Sequence, residues 1–257
     1  MKAPSFAYAK PRSLAEAFEL LERPGAKILA GGQSLIPSLN LRLSAPELLV
    51  DITGLAGMAK IETRDGVVRI GALCTQAELE RSAEIKDHLP LIAEAVSHIA
   101  HPAIRNRGTI GGSLALADPA AELPACAVAL DAVVLTSGRN SERHVKATDF
   151  FKGLFETDLR PGEILVAVEF PKTDKSVFLE LTRRQGDYAI VGVAGVKRKA
   201  ERRFAFFGIG GKPVLLKPKS LEEGKGSLPM PAADLYHTAA TKLHLARVLL
   251  ERAWNKL

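Results

Sequence analysis

Apolar residues recur along the chain with two different periods, and each period predicts its own kind of element. Leu14, Ala17, Phe18 and Leu21 follow helical spacing, with Ser13 and Glu16 at the capping-box interval ahead of them; the run stops near Glu22, before Pro24-Gly25. Thr75 and Glu78 repeat the capping interval, and Leu89, Ile92, Ala93, Val96 and Ile99 continue helically behind them. Short apolar runs bounded by turn residues predict strands: "AKILA", "PELLVDI", "GVVRIGAL", "DAVVLTS" and "EILVAVEF". In the last of these, Ile164, Val166, Val168 and Phe170 share one face by the two-residue alternation. Beyond Pro171 the strands come in series, "VFLELTRR", "AIVGVAGVKR" and "RRFAFFGIGG", with "GIGGKP" read as a turn. A Lys/Gly/Pro-rich stretch and a C-terminal helix from about Ala232 follow. Helices alternating with strands, then strands running together, predict an α+β chain of more than one lobe.

Composition narrows the function classes. With 257 residues, 47% of them hydrophobic and 25% charged, the chain is long enough for one large domain or two to three small ones around a substantial core. The net charge of +6 is spread among acids, and aromatics make up only 5%, so a basic surface meeting an acidic subunit, or simple solubility, explains the excess as well as nucleic acid does. No apolar run approaches the roughly 20 residues of a membrane helix, and "MKAPSFAYAKPRSLAEAF" lacks the apolar core of an export signal. A soluble, cytoplasmic protein is expected. Cys74 and Cys126 stand alone, which excludes a cysteine-ligated iron-sulfur cluster or zinc ribbon built by this chain by itself. No two histidines lie four apart, and HExxH, GxSxG, the P-loop and a strand-to-helix GxGxxG are all missing.

Two glycine pairs remain. "ILAGGQSL" ends an apolar run in Gly31-Gly32, and "HPAIRNRGTIGGSLALADPAAELPA" sets Gly111-Gly112 between Thr109 and Ser113, with Asp118 shortly after. Glycine permits positive φ and lets backbone N–H groups approach a ligand without a Cβ in the way, and neighbouring hydroxyls add donors. Each pair also suits a tight turn between a strand and a helix. Two such loops, each with a Ser just behind the glycines, suit two linked phosphates.

These two motifs, together with "RRQGDYAIVGVAGV" and the terminal "HLARVLLERA", resemble the FAD-binding medium subunit of the molybdenum hydroxylases, the family of aerobic carbon monoxide dehydrogenase and xanthine dehydrogenase. The resemblance covers nearly the whole chain and implies a fold and a cofactor. The fold would be a two-lobed FAD-binding domain of the vanillyl-alcohol oxidase (PCMH) type, residues 1–58 and 59–172, followed by a smaller α+β C-terminal domain, residues 173–257. FAD would lie between the lobes, with Ala30, Gly31, Gly32, Gln33, Ser34 and Leu35 wrapping the pyrophosphate from the first and Thr109, Gly111, Gly112 and Ser113 from the second. Asp118 would bond the ribityl or adenosine end, and Tyr188 would lie near the isoalloxazine ring.

The same resemblance implies partners: a large molybdopterin-binding subunit that oxidises the organic substrate and a small subunit with two 2Fe-2S clusters, in a heterotrimer or its dimer. Electrons would pass through FAD to NAD+, a quinone or oxygen, and no side chain of this chain need be catalytic. Gln33 and Leu116 stand where relatives often carry His, Cys74 where Thr is usual, and residues 211–234 are short and rich in Lys and Gly for the family. Two other classes stay open: a self-sufficient flavoenzyme of the same fold, and a scaffold subunit that binds no flavin.

Overall fold

A computed structural model describes residues 2–173 and 175–257. Among the described residues, three sheets of three or more strands follow one another along the chain, with a two-stranded hairpin as a fourth. The first is a parallel trio in the order β1 (Ala7–Ala9), β3 (Leu48–Asp51), β2 (Ala26–Leu29). Between β1 and β2 runs α1 (Leu14–Leu21), which buries Ala17 and Phe18. Its cap is a modified box: Ser13 Oγ accepts from the Glu16 N–H, but the Glu16 carboxylate reaches back to the N–H of Arg12 rather than of Ser13. After β2 the chain turns through the first glycine pair into α2 (Leu35–Asn40).

The second sheet is antiparallel, in the order β4 (Ile61–Arg64), β5 (Val67–Gly71), β10 (Ile164–Pro171), β6 (Val133–Gly138), β7 (Ser141–Lys146). Helices fill the connection from β5 to β6: α3 (Gln76–Arg81), α4 (Ala83–His88), α5 (Pro90–His98), α6 (Pro102–Arg105), α7 (Ile110–Leu116) and α8 (Glu122–Ala129). The capping box of Thr75 and Glu78 closes in both directions at the start of α3. Between β7 and β10 lie the short α9 (Ala147–Phe150) and a hairpin of β8 (Phe151–Gly153) and β9 (Glu156–Thr157). The shared face expected in β10 is interrupted. A bulge between Leu165 and Ala167 leaves Val166 outside the ladder and half-buried, while Ile164, Val168 and Phe170 are buried.

The third sheet is an antiparallel meander, β11 (Ser176–Leu181), β12 (Val191–Arg198), β13 (Glu201–Phe207) and β14 (Val214–Leu216). Helices α10 (Leu221–Ser227) and α11 (Ala239–Lys256) close the chain. The C-terminal helix begins at Ala239 and not near Ala232, because Pro229 and Pro231 break the preceding stretch and Thr238 provides the cap, its side chain accepting from the Thr241 N–H.

Two cores result. The larger runs from the first sheet through α5 and α8 and includes Phe178, Ala194, Val196, Ala205 and Phe207 of the third sheet. The smaller lies on that sheet's other face, against α11. Seven phenylalanines of the ten in the sequence are fully buried in these cores, which leaves few aromatic faces for stacking on bases. No helix among the described residues is long and apolar enough to cross a membrane.

Candidate functional site

The first glycine loop leaves its donors unused. Among the described residues, the N–H groups of Gly31, Gly32, Gln33, Ser34 and Leu35 have no protein acceptor. The next donor along, Ile36 N–H, closes onto the Gly32 carbonyl and starts α2. Gly32 sits at φ +74, a left-handed conformation that a β-branched side chain rarely adopts. Gln33 turns its side-chain amide back onto the Gly31 carbonyl at 3.1 Å and so braces the loop from within. Ser34 is exposed and makes no capping bond, which leaves its hydroxyl available. Five acceptor-free amides in succession beside a free hydroxyl are a donor set suited to an oxyanion.

Gly31 does something different. A Cβ there would stand 2.1 Å from the Arg107 carbonyl oxygen and 2.9 Å from the Gly108 Cα. The first loop therefore lies directly against the turn that leads into the second motif, backbone on backbone. The structure thus brings the two motifs together at a seam of Gly31 with Arg107 and Gly108.

In the second motif the amides are already committed. Ile110 N–H donates to the Cys74 carbonyl at 3.0 Å and Gly111 N–H to the Ala72 carbonyl at 2.9 Å, zipping this segment to residues 72–76. Gly111 is buried and packs so closely on residue 72 that a Cβ would meet Ala72 Cβ at 2.5 Å. Gly112 is exposed, and its N–H donates to Thr109 Oγ1 at 3.1 Å, capping α7. What this loop offers a ligand is the half-buried Ser113 hydroxyl and the exposed Gly112; Thr109 is only 5% exposed, and its Oγ1 already accepts from the cap, which leaves its O–H alone to donate.

Asp118 and Tyr188 form a second group, just beyond the end of α7 and on the loop before β12. Asp118 is half-buried and accepts from the Ala120 N–H at 2.9 Å; burial nevertheless raises its pKa. Tyr188 is 74% exposed, and its hydroxyl is pushed up by desolvation and by the charges of Asp118 and Glu122. The loop that carries it packs against the second lobe, where a Cβ on Gly186 would meet the His101 ring at 2.8 Å; the turn after β13 is tied to the same lobe, Gly208 N–H donating to the Pro119 carbonyl at 2.8 Å.

Three positions beside these groups escape a reading of the motifs. Ala72 and Arg107 contribute through backbone, which leaves no mark in the sequence. Glu122 does leave one, since it stands four residues after Asp118 in "DPAAELPA". It is buried in the first turn of α8, and burial, with smaller contributions from Glu180 and Asp118, raises its pKa to about 8. Glu180 is raised to about 7 by burial. Cys74 and Cys126 are free and buried, and burial lifts the Cys74 thiol to about 11, so both are inert packing groups.

Two lobes meeting along paired glycine loops, with a strip of unused amides at the seam, suit a dinucleotide, and the donor set fits FAD: amides and hydroxyls are the partners a pyrophosphate takes, and carboxyl groups those of ribose or ribityl hydroxyls. Comparison with known proteins agrees. Residues 4–173 match the model of the FAD binding domain in molybdopterin dehydrogenase. The 6-hydroxypseudooxynicotine dehydrogenase complex subunit alpha of Paenarthrobacter nicotinovorans is 47% identical over 201 residues, 76% of this chain and 68% of that one. The carbon monoxide dehydrogenase medium chain of Hydrogenophaga pseudoflava is 34% identical over 280 residues, covering 99% and 98% of the two chains. The solved structure of that organism's carbon monoxide dehydrogenase superposes with a TM-score of 0.93 at 33% identity, covering 100% of this chain and 98% of the matched one.

The chain belongs to the FAD-binding subunits of the molybdenum hydroxylase family. It is an oxidoreductase subunit, and its cofactor is FAD.

Proposed function

We propose that this chain is the electron-transfer subunit of a molybdenum-containing hydroxylase complex. It would relay electrons from the 2Fe-2S clusters of a small partner subunit to NAD+, a quinone or oxygen, while a large molybdopterin subunit oxidises the organic substrate. Bound FAD supplies the redox chemistry, and the protein supplies binding, orientation and electrostatics.

The observation that carries this reading is the strip of five amides from Gly31 to Leu35 without acceptors, held against the Arg107–Gly108 turn. In this assignment residues Ala30 to Leu35 hold the pyrophosphate from one side, and the hydroxyls of Thr109 and Ser113 hold it from the other. Gly111 lets α7 pack close enough for this, and Gly112 keeps the approach open. Asp118, its pKa raised by burial, binds the ribityl or adenosine hydroxyls. Tyr188 offers its exposed ring near the isoalloxazine. The lobes divide at residues 58 and 172, with the C-terminal domain at 173–257; the family match, ending at residue 173, supports the second boundary. A cytoplasmic location agrees with two buried free thiols.

Purification from the native cell tests the reading. A large molybdopterin subunit and a small ferredoxin-like subunit are expected to co-purify with a yellow chain. Turnover of an organic substrate by the isolated chain would replace the relay with a self-sufficient flavoenzyme, and a colourless chain that takes up no FAD would leave only a scaffold.

A further inference from the structure

Two carboxyl groups without a counter-ion lie on the two sides of the seam at the foot of the Tyr188 loop. Glu180 stands on β11 just before that loop, which is closed by Ile190 N–H donating to the Leu181 carbonyl at 2.8 Å. By the two-residue alternation Glu180 shares the face of Phe178, which belongs to the larger core. Its neighbours across the sheet are Gly192 and then Phe207. The residue after Phe207 ties this corner to the FAD-binding lobe, Gly208 N–H donating to the Pro119 carbonyl at 2.8 Å. Glu122 follows in the first turn of α8, only 8% exposed and close enough to feel the charge of Glu180.

Neither carboxyl has a partner. Glu180 Oε2 is buried without a hydrogen bond, and Glu122 bonds no other described residue. Among the described residues no Lys or Arg pairs with either, or with Asp118 or Glu94. The other groups packed around them supply no fixed positive charge. From α5 come Glu94, whose Oε2 accepts from the Phe178 N–H at 3.2 Å, and the His98 ring against Phe178. From α8 comes the Cys126 thiol, and from the loops Asp118 and the Tyr188 hydroxyl, which the charge of Glu122 reaches. The loop's own cations are engaged elsewhere or exposed: Arg183 pairs with Asp187 and stacks on Tyr236, and Arg184 is exposed. A carboxyl buried without cation or donor keeps its proton toward neutral pH, and burial raises Glu122 to about 8 and Glu180 to about 7.

We propose that Glu122 and Glu180 are positioning residues for the redox reaction, a pair that binds a proton when the bound flavin is reduced. The inference rests on the reading that the isoalloxazine lies at the Tyr188 loop. Two electrons and one proton added to the ring system leave it with one negative charge. That charge raises the proton affinity of a carboxylate beside it, and one O–H bond forms on the pair with a proton from solvent. Two electrons and two protons enter the site together, and no bond of the protein breaks.

The test is a spectroelectrochemical titration of the FAD-loaded full chain between pH 6 and 9. Below about 7 the pair already holds its protons, so one proton accompanies two electrons. The equilibrium then changes tenfold per pH unit, and the midpoint potential is expected to fall by about 30 mV. Above about 8 a second proton joins, the change becomes a hundredfold, and the slope is expected to steepen to about 60 mV per pH unit. Glu122→Gln/Glu180→Gln is expected to keep the shallow slope throughout, with FAD content unchanged and the parent's potential at pH 6. Glu180→Asp, which retains the carboxyl, is expected to retain the steepening. If the double variant misfolds by circular dichroism, Glu180→Gln alone serves, and the steepening is expected to start near 8 instead of near 7. A straight line in the parent, or steepening unaltered by the glutamine variants, overturns the proposal while FAD binding stands. A chain that takes up no FAD overturns the flavin reading itself, and this inference with it.

Discussion

Gly31 and Gly32 are adjacent and exchangeable by composition, yet each answers a different constraint. At Gly31 the obstacle is the Arg107 carbonyl, 2.1 Å from an added Cβ, and backbone on both sides cannot yield as a side chain would. Gly31→Ala is expected to spread the seam, costing about 1–3 kcal/mol of stability by denaturant unfolding. At Gly32 the added Cβ meets only side chains, Ile36 and Leu29, at 3.2 and 3.3 Å, and the obstacle is φ +74. Gly32→Val therefore distorts the loop itself, so FAD retention should be lost while circular dichroism keeps most of the helix signal. If the valine variant holds FAD as the parent does, the loop does not carry the pyrophosphate.

Glu122 sets a pH dependence at the same scale. Its pKa is raised by burial from 4.5 to about 8, so the folded chain favours the protonated carboxyl. The stability it contributes is fully present below about 4.5 and is lost as pH rises through about 8. Each unit of separation is worth roughly 1.4 kcal/mol, so the loss across this window amounts to several kcal/mol. Glu122→Gln should leave the FAD-free chain's stability nearly unchanged at pH 5 and raise it at pH 8.5, flattening the decline. Thermal melts at both values check this; an equal shift at each would deny Glu122 the titration.

Among the elements, α7 shows how a helix start can serve a loop. Thr109 caps it through Gly112 N–H, which fixes the hydroxyl beside the exposed face of the second motif. Thr109→Ala should cost about 1 kcal/mol of stability through the lost cap. Ser113→Ala removes a hydroxyl that bonds nothing in the protein, so its effect should fall on FAD affinity, weakening it by about 1–2 kcal/mol with stability unchanged. Parallel unfolding and FAD titrations separate the two. The helices that are legible from the sequence alone are those with one wet face, such as α1 and α5. Helix α8 escapes because every residue from Glu122 to Ala129 is buried, so no periodicity marks it. Helices α6 and α7 escape because Pro102, Gly108, Gly111 and Gly112 read as breakers; at Gly111 the reason is packing on Ala72. The glycine motifs were visible, but the division of labour between them was not: donors come free in the first loop and committed in the second, a difference made by Ala72 and Cys74 carbonyls from elsewhere in the chain.

In the whole molecule, α8 is the shared wall. It lies in the larger core with Phe178, Ala194, Val196, Ala205 and Phe207 of the third sheet, so the C-terminal strands and the FAD-binding lobe bury the same apolar surface. Arg203 on β13 fastens the junction. Only 4% exposed, it donates to the Ala129 carbonyl at 2.9 Å and the Val128 carbonyl at 3.0 Å, the last carbonyls of α8, and pairs with Asp131 at 3.1 Å. A shared core of this kind makes unfolding of one part expose the other, so the full chain should unfold in one denaturant transition. Arg203→Met removes the donors and leaves the Ala129 carbonyl unmet, while the Val128 carbonyl keeps the Asp131 N–H at 3.2 Å, a loss of about 1–3 kcal/mol concentrated at the junction. The variant's unfolding should then split, the C-terminal strands melting before the glycine-loop lobe. Tryptophan fluorescence follows the first event, since Trp254 packs in the smaller core against Phe204, and loss of FAD absorbance follows the second. Coincident transitions in the variant would mean that the apolar contacts of α8 alone couple the two parts, with Arg203 adding stability but no linkage.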